Sequence, residues 1–278
     1  MHSLSESLLL QMAEYYQKDG QLQRAIDTYI YAVRQYADRP LVDKARFRLG
    51  ELYLVTAQPE EAIATFTEVI EQGQDDSLKP DALFGRAKSY EAMGSWAEAA
   101  ASYGHIAEAY PASPIAARGL LQAGLIWQKQ GDDKRARQQF ETLIERYPQS
   151  PIRYETWLQL GKTHLALKAP QAALDAFSEA SKAPDKELAS QAVWQSGQAY
   201  STTGDLQKGI NAYLRVAYLY PEVKALVPQA LREAARNYVA LHKCPEALKV
   251  YEKFQQQDVS AEQKQSMAQE LAKGGCPS

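Results

Sequence analysis

The chain has 278 residues, 45% of them hydrophobic, with 31 basic and 34 acidic side chains and a formal net charge of −3. That near-balance leaves no basic excess or stripe of the kind that binds nucleic acid, and no apolar run approaches the roughly 18–20 residues that span a bilayer. The opening Met1-His2-Ser3-Leu4-Ser5-Glu6 has neither a basic region nor a long apolar stretch, so no signal peptide is expected there, and two cysteines are too few for a disulfide scaffold or a structural zinc site.

In chain order the elements repeat. Leu8, Leu9, Met12 and Ala13 begin a helix at once, with nothing before them to serve as a cap, so upstream sequence or a partner is expected to cover that end. A unit over about 5–38 turns at Asp19-Gly20, and units over 41–74, 79–111 and 114–148 turn at Gln58-Pro59, Met93-Gly94 and Gly131-Asp132. Units over 151–183, 186–220 and 223–257 turn at Ala169-Pro170, Gly204-Asp205 and Cys244-Pro245. After each turn a small residue is followed four positions later by a ring: Ala25/Tyr29, Ala62/Phe66, Ala99/Tyr103, Ala136/Phe140, Ala173/Phe177, Gly209/Tyr213 and Ala247/Tyr251. The small residues are 37, 37, 37, 37, 36 and 38 positions apart. Twelve positions before each stands another small residue (Ala13, Gly50, Ala87, Gly124, Gly161, Gly197, Ala235), and three after that a ring (Tyr16, Tyr53, Tyr90, Trp127, His164, Tyr200, Tyr238). Small residues let antiparallel helices approach, and rings one turn away fill the space between them.

Ser113-Pro114 and Ser150-Pro151 place a cap and a first-position proline where the next unit begins, and Arg39-Pro40 keeps only the proline. No segment alternates as a strand. The pattern predicts fourteen helices in seven hairpins over 1–258, then a tail over 259–278. In that tail Ser260 and Gln263 form a capping box for a last helix ending near Lys273. Met267, Ala268 and Leu271 share one face of it and Lys264, Gln265, Gln269 and Glu270 the other, as suits a terminal cap.

Nothing assembles an active site. Of the four histidines (His2, His105, His164 and His242), His164 stands in a packing column, His105 lies mid-helix without an acidic or metal-ligand partner at the adjoining turn, and His242 beside Cys244 offers two metal-ligand types where a site needs more. Gly161-Lys162-Thr163 imitates the end of a phosphate loop, but Thr156 stands where a glycine is required and the segment is helical. No catalytic residue, metal or cofactor is predicted. Cys244 and Cys276, each followed by proline, fall in equivalent turns. A bridge would close a loop of about 32 residues, worth on the order of 3–4 kcal/mol. Stacked repeats hold such turns about 10 Å apart, beyond the roughly 7 Å limit for a bridge, unless Gly274-Gly275 closes the gap. Bridge and free thiols both remain open.

The four columns resemble the tetratricopeptide repeat over nearly the whole chain, about Leu8 to Phe254. That resemblance implies an all-α fold, a right-handed superhelical solenoid of about seven helix hairpins plus a C-terminal capping helix, with no catalysis of its own. It further implies a concave groove lined by the first helix of each pair. One groove column reads Leu10, Phe47, Phe84, Leu121, Leu158, Trp194 and Arg232, either a ridge that grips a partner segment or packing between neighbouring helices. Another reads Glu14, Glu51, Lys88, Leu125, Lys162, Gln198 and Arg236. Lys88, Lys162, Arg232 and Arg236 then favour acidic or carboxylate groups, unless the face is simply solvated. The period exceeds the usual one of about 34, and the excess lies in Tyr110-Pro111-Ala112-Ser113-Pro114 and Tyr147-Pro148-Gln149-Ser150-Pro151, with Tyr220-Pro221 and Tyr36 partial. Such connectors are similar to those of bacterial cell-envelope families, the outer-membrane-assembly lipoproteins and the Tol–Pal-associated division coordinators. The likeness implies a periplasmic scaffold for a protein or peptide of an envelope complex, without nucleic acid or membrane span. A cytoplasmic adaptor, or the accessory region of a larger cell-wall or polysaccharide-processing enzyme, are the alternatives.

Overall fold

The computed structural model describes residues 5–37 and 41–276; the Met1–Leu4 opening with His2, the Arg39-Pro40 junction and Pro277 lie outside them. The described residues form fifteen α-helices and no strand, and no helix among them is long and apolar enough to cross a membrane. The first six are α1 (Glu6–Lys18), α2 (Leu22–Gln35), α3 (Val42–Val55), α4 (Pro59–Gln72), α5 (Lys79–Ala92) and α6 (Trp96–Ala109). Next come α7 (Ala116–Lys129), α8 (Asp133–Arg146), α9 (Arg153–Ala166), α10 (Pro170–Ala180), α11 (Lys186–Thr202) and α12 (Leu206–Leu219). The last three are α13 (Val227–Ala240), α14 (Cys244–Gln255) and α15 (Ala261–Lys273). Contacts gather into two compact units, residues 1–142 and 143–278, which divide inside α8.

In both units the hairpins close through one kind of contact. The second helix contributes a ring that is fully buried: Tyr29, Phe66, Tyr103 and Phe140 in the first unit, Phe177 and Tyr213 in the second. The ring presses on the small residue of the first helix. A Cβ added to Gly50 would lie 2.8 Å from the Phe66 ring, and one on Gly197 would lie 2.6 Å from the Tyr213 ring. Gly124 meets Phe140 and Gly161 meets Phe177 closer still. Each such ring removes apolar area worth roughly 1.5–3 kcal/mol from water.

The turn inside each hairpin is equally uniform. At Gly20, Gly94, Gly131 and Gly204, φ lies between 74° and 85°. The residue after each glycine donates its N–H to the carbonyl of the ring-column residue five positions earlier, as Ser95 does to Tyr90 at 2.9 Å and Asp132 to Trp127 at 2.9 Å. This is the Schellman ending, which satisfies carbonyls the helix leaves unpaired. Ala57, Lys168 and His242 adopt the same left-handed conformation at φ 56–57°, bearing the strain glycine avoids, and each precedes a helix with proline in its first turn.

Two departures from the repeat have visible causes. Gly209 replaces the alanine of its column because a Cβ there would lie 2.6 Å from Ser201 Oγ and 2.8 Å from Asn237 Nδ2. That space admits the buried hydrogen bond in which Asn237 donates to Ser201 at 2.6 Å, joining α11 to α13. The connector after α4 lacks Tyr-Pro and is held by Asp43, 2% exposed, which accepts the N–H groups of Gln74 at 2.6 Å and Asp75 at 3.0 Å.

The tail repeats the hairpin's first half. Helix α15 carries the capping box, Ser260 accepting from Gln263 N–H and Gln263 from Ser260 N–H. It ends as the first helices end, with Gly275 at φ 81° and Cys276 donating to the Leu271 carbonyl at 2.9 Å. Gly274 lies flush against Val239 of α13, with no room for a side chain. The Gly-Gly pair thus draws the tail inward, and Cys244 and Cys276 are joined in a disulfide with their Cα atoms 5.2 Å apart. Close approach at Gly274 removes the separation that stacking alone would impose.

Candidate functional site

In the first unit, α3 and α5 expose matching faces at helical spacing. Phe47, Glu51, Leu54 and Val55 of α3 face Asp81, Phe84 and Lys88 of α5 across a cleft of about 420 Å³. Its floor is the ring of Phe66 on α4, which reaches the cleft because Gly85 of α5 has no side chain to block it. Phe47 stands 5.8 Å from Phe66 at 60°, and Phe84 packs edge-on against Tyr103 at 4.9 Å. Both walls are therefore fixed aromatic surfaces. Val55 at the mouth is 68% exposed.

Charge surrounds this apolar slot. Arg48 bonds Glu51 at 2.6 Å, while Lys88 Nζ and the Arg118 guanidinium lie 5.5 Å and 4.9 Å from the centre of the Phe84 ring. Burial, and then the charge of Glu51, raise the Asp81 carboxyl above its ordinary value. Arg48 also lines a neighbouring cleft of about 480 Å³ with Glu14, Gln17 and Lys18.

In the second unit the groove columns meet different surroundings. Trp194 is half-buried in the core cluster of Val193 and Leu231, and its indole N–H has no acceptor among the described residues. Desolvation lowers the Lys162 ammonium. Arg232 and Arg236 both turn to Glu270 of α15: Arg232 Nε donates at 3.2 Å and Arg236 Nε at 2.8 Å, and Arg236 also bonds Glu233 at 2.6 Å. The Arg232 bond, and then that of Arg236, hold Glu270 down at about 2. Among the described residues no group of three or more His, Cys, Asp and Glu could hold a metal ion.

Comparison with known proteins matches two tetratricopeptide repeat models, one over residues 10–77 and 158–224, the other over 81–113 and 118–150, together more than half of the chain. The chain belongs to the tetratricopeptide repeat family. Its fold is similar to that of a tetratricopeptide repeat protein from Parabacteroides merdae, 15% identical, with 96% of this chain and 98% of that one covered and a TM-score of 0.54. It is also similar to the C-terminal part of a TPR repeat-containing protein from Cytophaga hutchinsonii, 14% identical, covering 93% and 98%, TM-score 0.71. A third is YrrB, a TPR protein with an unusual peptide-binding site, 19% identical, covering 72% and 96%, TM-score 0.53. No curated protein matches.

In this tetratricopeptide repeat protein, then, Phe47, Phe84 and Lys88 come together in one cleft. Leu10, Leu121 and Leu158 do not join a ridge: at 7%, 4% and 3% exposure they belong to the core, because their helices turn that column toward a neighbour. Arg232 and Arg236 are not open cations, since Glu270 occupies them. Sequence reasoning missed Gly85, Val55 and Asp81, whose only signal was their spacing with Phe84 and Phe47 along α5 and α3.

Because Glu270 is depressed from 4.5 to about 2, its ion cluster stabilises the fold above pH about 4.5 and is lost as pH falls toward 2. After allowance for solvent at a side chain 28% exposed, Glu270→Gln should cost about 1–2 kcal/mol at pH 7. Urea unfolding at pH 7 and pH 3 should show that difference shrinking at the lower pH; a gap of equal size at both would contradict it.

Proposed function

We propose that this protein is a non-enzymatic scaffold of the bacterial cell envelope that holds a segment of a partner protein in the cleft of α3, α4 and α5. Tetratricopeptide repeats make protein–protein interaction scaffolds, and the fold is generally non-catalytic. The observation that carries the reading is the slot of about 420 Å³ between Phe47 and Phe84, with Phe66 as its floor and opposite charges at its rim. Fixed aromatic walls lose little side-chain entropy when they close on a ligand, and such anchors supply most interface energy. A protein of similar fold, YrrB, is described by its peptide-binding site.

A periplasmic location is supported by the Tyr-Pro-x-Ser-Pro connectors at Tyr110 and Tyr147 and by the Cys244–Cys276 bridge, since structural disulfides persist in oxidising compartments. Partners would then be other proteins of the envelope.

Peptides selected from a displayed random library should bind the full chain through an apolar or aromatic side chain, and Phe84→Ala or Phe47→Ala should weaken each at least ~10-fold. Affinities unchanged by both substitutions would remove the cleft from the account. For the location, protein isolated from its host without reductant should resist alkylation at Cys244 and Cys276; two alkylated thiols would withdraw the periplasm.

A further inference from the structure

A second pocket lies in the second unit, on the side of α10 and α12, and shares no residue with the cleft above. Its volume is about 300 Å³, at the small end of ligand sites. It opens where the repeat is irregular. Helix α10 has 11 residues where α2, α4, α6, α8 and α12 have 14, and Ser181 caps its C-terminal end, whereas Tyr110 and Tyr220 cap α6 and α12. The missing turn leaves a gap, and Ser178, Ser181 and Ser196 carry too little side chain to fill it.

The polar groups around the gap offer hydrogens and positive charge. The Asn211 carbonyl already accepts from Gln207 at 3.4 Å, which leaves its amide NH₂ to donate. Among the described residues the hydroxyls of Ser178 and Tyr200 and the guanidinium of Arg215 have no hydrogen-bond or ion-pair partner. Lys208 lies over the Tyr200 ring at 5.6 Å and bonds Asp205 at 2.7 Å, so Arg215 is the cation left uncompensated. No carboxylate lines the pocket, and Leu174, Val193 and Ala212 give it an apolar floor. The Ser181 and Ser196 hydroxyls already donate to the Ser178 and Ala192 carbonyls at 2.8 and 3.0 Å, so the unused donors are those of Ser178, Tyr200, Asn211 and Arg215, and their bonds to a charged acceptor are roughly twice as strong as to a neutral one.

We infer that this pocket binds an anionic oxygen group, a carboxylate or a phosphate monoester, carried on a compact apolar body. Arg215 pairs with the anion, Asn211, Ser178 and Tyr200 complete its hydrogen bonds, and Leu174, Val193 and Ala212 receive the apolar part. The site is separate from the peptide cleft, so the failure of either reading leaves the other standing.

The test titrates the full isotope-labelled chain with phenyl phosphate, with N-acetylphenylalanine as the stand-in for a peptide carboxylate, and with the neutral amide of the latter. Binding is followed by amide NMR shifts and calorimetry. At least one anion should saturate with shifts centred on Ser178, Ser196 and Asn211, and the neutral amide should bind at least ~10-fold more weakly. Preference between the two anions identifies the phosphate or the carboxylate as the natural group. Arg215 and Asn211 are exposed, so Arg215→Gln and the pocket-filling Asn211→Leu should melt as the parent does while lowering anion affinity at least ~10-fold. Equal binding of the neutral amide, unchanged affinity in both variants, shifts centred elsewhere, or no saturable binding would each overturn the inference.

Discussion

A hairpin in this protein closes only as far as its first helix lets a ring come in. Phe66 settles on Gly50 and Tyr213 on Gly197 at distances that leave no room for a methyl group. That one requirement orders much else. It sets the second helix's ring one turn beyond its own small residue, fixes which face of each helix is buried, and leaves a defined set of positions on the opposite side. The turn is constrained with it, because helices held so close must be joined by a left-handed residue, whether glycine at 94 or, at greater strain, alanine at 57.

The surfaces with chemical interest are places where this regular packing is adjusted. Gly85 is a second glycine against Phe66, beyond the one the hairpin needs, and it converts a buried ring into the floor of a cleft. The shortened α10 does the reverse, taking away helix so that hydroxyls and a free guanidinium border an opening. At the C-terminal end the adjustment seals a surface. There α15 imitates a first helix down to its Schellman turn, brings Glu270 to Arg232 and Arg236, and is held by the Cys244–Cys276 bridge.

Periodicity made the hairpins, the turns and the capping box of α15 legible, because each depends on residues close in sequence. The side of the helix to which a column points was less legible. Leu10, Phe47 and Leu158 occupy equivalent places, yet the two leucines are buried and the phenylalanine lines a cleft, since exposure depends on which neighbour packs there and on how small its residues are. The cations at 232 and 236 read as open because their partner lies 34–38 residues away, on the polar face of a helix read only as a terminal cap. The Tyr-Pro connectors carried a family likeness, and from two cysteines alone the bridge could not be decided: it depended on Gly274 fitting against Val239.

The claim that a ring on a small residue closes each hairpin is tested most directly by one pair of substitutions in the same unit. Gly50→Leu places a side chain under the Phe66 ring, whereas Gly104→Leu meets only the Gln139 amide oxygen, 3.5 Å from its Cβ. Both replace a helical glycine and gain similar helix propensity, on the order of 0.5–1 kcal/mol. Urea unfolding should show Gly104→Leu as stable as the parent or slightly more so, and Gly50→Leu less stable by about 3 kcal/mol or more. Equal stability of the two variants would contradict the account.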